Sequence, residues 1–175
     1  AETMFKDNFQ EPGQWNYIAD TVMGGISTGG VEFKYIEGKS IAVLKGNVTT
    51  ENNGGFIQIR RDLKDIDLES AELIRLIAKG NNQKYFIFLR TTGTILPWQY
   101  YQSEFTVNEN FNEFVLPIHE FKKSGMLMSS KVNPKKITSI GLVSFGRDHS
   151  AELVVTELEF IKWINLIYFW IKDNI

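Results

Sequence analysis

Residues 68–79 read LESAELIRLIAK, and the fold class turns on them. Leucine, glutamate, alanine, arginine and lysine are good helix formers, and Leu73, Ile74, Leu76 and Ile77 suit helical spacing. Local preference therefore predicts a helix. The same residues also read as a strand buried on both faces, which periodicity alone cannot separate from a helix. Outward from this segment the pattern is uniform. Short apolar-alternating runs cover 31–36, 40–48, 55–60, 84–91, 103–107, 113–117, 138–143 and 152–160. They are rich in valine, isoleucine, phenylalanine and tyrosine and are bounded by Gly, Asn, Pro or Asp, as expected for an all-β sandwich or barrel. In the run 56–60, Gln58 and Arg60 fall on one face and Ile57 and Ile59 on the other, the mark of a strand with one buried side.

Composition narrows the function. Of 175 residues, 43% are hydrophobic, enough for a core without disulfide or metal staples. A net charge of −2 with no lysine- or arginine-rich run gives no electrostatic drive toward nucleic acid. The chain has no cysteine, so thiol catalysis and cysteine-based zinc sites are excluded. Two histidines, with no paired spacing, offer little to a metal. No glycine loop that would cradle a phosphate opens onto a helix, so no cofactor is expected.

Two double glycines stand out, Met23-Gly24-Gly25 within 20–27 and Asn53-Gly54-Gly55 within 51–56. Asn53-Gly54 is the strongest short hairpin signal, and Asp20 can fix a turn through its own backbone. One glycine per turn usually suffices. The second of each pair asks for close approach by another group.

These motifs carry a family resemblance. Trp15, the run from Asp20 through Met23, Gly24, Gly25 and Ile26 to Ser27, then Gly46, then Glu51, Asn52, Asn53, Gly54, Gly55 and Phe56, with Arg60, resemble the complex I intermediate-associated protein family. Gly80, Lys84, Tyr85, Leu89, Arg90, Tyr100, Phe105, Leu116, Pro117, Phe121, Ile140, Gly141 and 158–161 continue the match, so it spans roughly 5–161. Gln58 replaces a frequent small hydroxyl residue, and Phe111 a tryptophan. The resemblance implies a galactose-binding-domain-like jelly-roll β-sandwich over 1–161, with 71–79 as a strand rather than a helix. It implies a non-catalytic assembly-factor role with a protein partner such as a respiratory-complex intermediate. It also implies a soluble protein of the bacterial cytoplasm or periplasm, or of the mitochondrial matrix. Finally, it implies that loops 20–27 and 51–56 meet at one corner, with Asp20, Asn52, Asn53 and Arg60 supplying hydrogen bonds.

Other chemistry is weaker. The stretch 25–29 fits the G-x-S-x-G nucleophile pattern at Ser27, but a strand-like run follows where a helix is required, and His119 or His149 would have to act as base. Asp7 and Glu157 are weak candidates for a structural calcium near the termini. Trp98, Tyr100 and Tyr101, with Arg90 and Gln102 nearby, could stack on a sugar, which supports a carbohydrate-binding alternative; core packing competes for the same rings. The tail 162–175 is apolar and aromatic, too short for a bilayer span of about 20 residues. It suits a terminal helix or strand packed on the domain or on a second copy, or a peripheral membrane contact.

Overall fold

The computed structural model describes residues 2–162 together with Ile171 and Asn174. The expectations for the tail fall almost wholly outside the described residues. Twelve strands run in order: β1 (Glu2–Asp7), β2 (Trp15–Ala19), β3 (Thr28–Ile36), β4 (Lys39–Val48), β5 (Phe56–Asp62), β6 (Leu73–Gly80), β7 (Lys84–Thr91), β8 (Tyr101–Thr106), β9 (Asn112–Pro117), β10 (Lys122–Lys123), β11 (Ile137–Phe145) and β12 (His149–Lys162). The first sheet has the order β3-β4-β12-β6-β9, with β1 also paired to β12; the second has the order β10-β8-β7-β11-β5-β2. Every pairing is antiparallel. The two sheets face each other as a jelly-roll sandwich around one apolar cluster drawn from both.

Where local preference expects a helix over 68–79, residues 73–80 form a strand, as the family resemblance implies. β6 lies between β12 and β9 and bonds to both. Ile74, Leu76 and Ala78 point into the core at full burial, while Arg75 and Lys79 alternate outward. Helix propensity differs between these residue types by only tenths of a kcal/mol each. Two ladders and a buried face outweigh that. The segment before it, Leu68 to Ala71, closes as a turn through the Ala71 N–H to Leu68 carbonyl bond.

Strands β1 and β2, which carry no clear alternation, are set by partners distant in sequence. Asp7 at the end of β1 accepts bonds from the Phe9 N–H (2.7 Å) and the Trp15 indole N–H (3.0 Å) and forms an ion pair with Arg61 of β5. Trp15 stacks on Phe9 at 5.2 Å. This cluster ties the first sheet to the second. The two carboxylates weighed for calcium both have cationic partners. Asp7 is held by Arg61, and Glu157 by Arg75 (2.8 Å) and Lys6 (3.9 Å). No group of three or more metal-ligating side chains occurs among the described residues.

Candidate functional site

Both double-glycine loops cross between the sheets. Residues 20–27 lead from β2 to β3, and 49–55 from β4 to β5. Asn53-Gly54 is therefore a sheet-switching turn and not a hairpin. The loops meet at one end of the sandwich, joined by the third crossover after β11, where the Gly146 N–H bonds the Gly55 carbonyl at 2.9 Å and Asp148 accepts from the Thr50 N–H at 2.7 Å.

Asp20 is the centre of this corner and is wholly buried. One carboxylate oxygen accepts from the Ser27 N–H (3.0 Å); the other accepts from the Ser27 hydroxyl (2.5 Å), the Gly55 N–H (2.6 Å) and the Phe56 N–H (3.3 Å). Burial alone would raise the Asp20 carboxyl. The bonds from the Ser27 hydroxyl and the Gly55, Ser27 and Phe56 N–H groups outweigh it and hold the carboxyl below the usual aspartate range. One glycine of each pair is required by the approach of Asp20, and the other by its backbone, Gly55 having φ at +128°. A Cβ on Gly25 would stand 2.4 Å from the Asp20 Cγ, and one on Gly54 2.5 Å from its Oδ2. Gly24 serves differently, with φ at +87°.

The corner is a closed brace, and two of its expected members play other parts. Asn52 and Asn53 are exposed and adopt left-handed φ of 56° and 60°, so they contribute backbone shape rather than hydrogen bonds to the corner. Arg60 lies on a different surface. Around the rim, Glu51 is exposed, and Val22, Met23 and Ile26 expose 75%, 56% and 46% of their surface. They form an apolar ridge on a rigid support.

Ser27 has no histidine base. Its hydroxyl is bonded to Asp20 and to the Thr49 backbone, His119 stands exposed beside Glu120, and His149 bonds Ser144. The His149 Nδ1–H donates to the Arg147 carbonyl at 2.8 Å, leaving Nε2 to accept from the fully buried Ser144 hydroxyl. Burial lowers the His149 pKa below 6.5, and the charge of Arg147 adds to it. The unfolded chain thus takes up this proton first as pH falls. The contribution of His149 is complete above the unfolded pKa and lost as pH drops through it toward the folded value. The melting temperature is expected to decline between about pH 7 and about pH 5, and His149→Gln to flatten that slope. Equal slopes for the two proteins in a pH series of thermal melts would refute the assignment.

A second surface is the outer face of the second sheet. Alternation along β5 sends Ile57 and Ile59 inward and Gln58 and Arg60 outward. Arg60 is cross-strand from Gly141, which is cross-strand from Phe88. Phe88 and Tyr100 stack at 3.9 Å with their planes 11° apart, and Phe145 closes on Phe86 and Phe88 at 4.4 and 5.0 Å. The Arg60 guanidinium makes no hydrogen bond or ion pair among the described residues. Burial, and then the charge of Arg90, lower its pKa. Arg90 braces the neighbouring loop by donating to the carbonyls of Pro97 (2.8 Å) and Leu96 (3.0 Å). Trp98 on that loop is 64% exposed. Tyr101 is not part of this platform: it is buried, with its hydroxyl on the Ser129 carbonyl at 2.8 Å.

The outer face of the first sheet contrasts with this. Arg75 there bonds Glu113, Glu157 and Glu159 at 2.7–2.8 Å, so its charges are satisfied internally. A groove over Val43 and Val154 is edged by charges of both signs, Lys34, Lys45, Lys79, Glu32 and Glu152.

The family described as Complex I intermediate-associated protein 30 matches residues 4–155. No curated protein matches the sequence. Among solved structures, the fold is similar to the family 11 carbohydrate-binding module of cellulosomal cellulase Lic26A-Cel5E of Clostridium thermocellum. The TM-score is 0.75 and the identity 16%, over 93% of this chain and 95% of that one. The family 11 module from Clostridium thermocellum in complex with a β-1,3-1,4-mixed-linked tetrasaccharide gives 0.73 at 16% identity, over 91% and 95%. A family 30 carbohydrate-binding module gives 0.58 at 12% identity, over 83% and 81%. At these identities the likeness is one of fold, the galactose-binding-like jelly roll.

Proposed function

Because the chain belongs to the Complex I intermediate-associated protein 30 family, we propose that it is a non-catalytic interaction domain that holds a protein partner of the assembly-intermediate kind at its glycine-loop corner. The observation that carries this reading is the ridge of Val22, Met23 and Ile26, exposed on loops that Asp20 locks in place. Apolar side chains presented on a rigid support bind at low entropic cost and are typical contact residues. The engagement of Ser27 by Asp20 supports a binding role over a hydrolytic one. Affinity capture from cells that produce the chain tests it. Val22→Ser with Met23→Ser is expected to lose partner subunits that the wild type retains, while the fold stays intact. A double variant that keeps every partner would count decisively against the corner.

A second reading, carbohydrate binding, is favoured by the outer face of the second sheet, where Tyr100 on Phe88 lies on the same face as Arg60 and the Arg90-braced loop exposes Trp98. Its probe is a β-1,3-1,4-mixed-linked tetrasaccharide, the ligand of the family 11 module of similar fold. Calorimetric binding that Arg60→Ala and Trp98→Ala weaken would favour it, and no heat of binding would remove it for this sugar. The two readings use separate surfaces, so each set of variants leaves the other intact.

A further inference from the structure

We propose that the end of the sandwich opposite the glycine corner docks on an anionic lipid surface through two stitched loops. β11 runs from Ile137, beside Thr91, to Phe145, next to the corner crossover. The loop that follows Thr91 therefore emerges at the far end, about 30 Å from the corner. That loop exposes Ile95 (83%), Leu96 (42%) and Trp98 (64%). The loop after β10 exposes Met126 (91%) and Leu127 (97%). Ser124 binds the two together: its hydroxyl donates to the Trp98 carbonyl (2.8 Å) and accepts from the Tyr100 N–H (3.0 Å), while its N–H donates to the Tyr100 carbonyl (2.9 Å). Five large apolar side chains thus project from one locally braced platform, far from the core they would otherwise join.

Charge chooses the occupant. Across 121–137 stand Lys122, Lys123, Lys131, Lys135 and Lys136 with no acidic residue, and 91–103 contain no acid either. All five lysines are exposed, and the Lys136 carbonyl accepts from the Thr92 N–H, which places the lysine-bearing turn directly beside the apolar loop. Apolar tips ringed by lysines fit a bilayer: the tips enter the acyl boundary, tryptophan sits at the headgroup level, and ammonium groups meet lipid phosphates and carboxylates. Five exposed acids also stand at this end, Asp62 closing β5 and Asp65, Asp67, Glu69 and Glu72 in the loop after it, but β5 is two strands from β7, so the contact is tilted toward the β8–β10 side. In this orientation the corner ridge points away from the lipid. The inference is independent of what the corner binds.

Vesicle co-sedimentation of the full chain tests it, with phosphatidylcholine alone and with phosphatidylcholine mixed with phosphatidylserine. Binding is expected only to the mixed vesicles and is expected to weaken with salt. Met126→Ser with Leu127→Ser is expected to reduce binding about tenfold or more. Lys135→Glu with Lys136→Glu should do the same at low salt. The chain has no cysteine, so Leu127→Cys gives a single site for an environment-sensitive label, whose emission should shift to the blue on the mixed vesicles. Absence of binding overturns the proposal. Binding that both double variants leave undiminished also overturns it and assigns the contact to another part of the chain. Self-association that the same variants abolish, without vesicle binding, overturns it in favour of a second copy.

Discussion

Asp20→Ala is expected to destabilise the domain by about 3–5 kcal/mol, because it orphans two buried backbone donors and a third that is half-buried, at about 1–3 kcal/mol each, less the relief of desolvating a charge. The donors are the N–H groups of Ser27, Gly55 and Phe56; the Ser27 hydroxyl keeps the Thr49 carbonyl as an alternative. For a chain of this size each kcal/mol moves the melting temperature by roughly 2–4 °C. Asp20→Asn keeps the volume but places an amide donor among donors, so it should fall between the variant and the wild type. The acid limb carries the same information. The folded pKa is depressed, so the contribution of Asp20 is present above the unfolded value of 3.8 and lost as pH falls through the folded one. Thermal melts near neutral pH are the direct check. A melting temperature for Asp20→Ala within a degree or so of wild type would show that water replaces the carboxylate at little cost, contrary to its full burial.

Gly25→Ala is expected to cost about 2–4 kcal/mol, at the upper end of overpacking effects. The added carbon would meet the Asp20 Cγ at 2.4 Å, and that side chain cannot yield because its bonds hold it in place. Two neighbouring glycines provide the scale. Gly24→Ala meets open space but must hold φ at +87°, a strain of roughly 1–2 kcal/mol. Gly30→Ala has neither a close neighbour nor a left-handed backbone, and should fall within about 0.5 kcal/mol of wild type. Urea unfolding should rank them in that order. In the Asp20→Ala background the Gly25→Ala cost should fall without vanishing, since the two sites share one space but the Cβ that Asp20→Ala keeps would still stand 2.8 Å from the new carbon. Additive costs in that double-mutant cycle would mean that the glycine is needed for some reason other than the carboxylate.

The corner was half legible in the sequence. A doubled glycine says that something comes close, and Asp20 is visible as a turn former, but nothing local says that its carboxylate fills the space left by both Gly25 and Gly54. The partners lie 35 and 36 residues away for Gly55 and Phe56, beyond any local pattern. The family resemblance groups Arg60 with the corner. Yet the alternation of Ile57, Gln58, Ile59 and Arg60 already placed it on an outer face, where it stands beside Arg90. The ring cluster of Phe86, Phe88, Tyr100 and Phe145 left a weaker trace, because its members come from three separate segments.

By itself the sequence determined the strand-rich class, the two glycine loops and most strand positions, because alternation with period two and turn residues are local properties of the chain. Tertiary structure decided the rest. It made 73–80 a strand against its own helical preference, because ladders to β12 and β9 are worth more than propensity. It paired β1 with β12 at the other end of the chain. It also turned Asp20 from a turn residue into the bolt of the corner, since a buried carboxylate persists only where donors from distant segments converge on it.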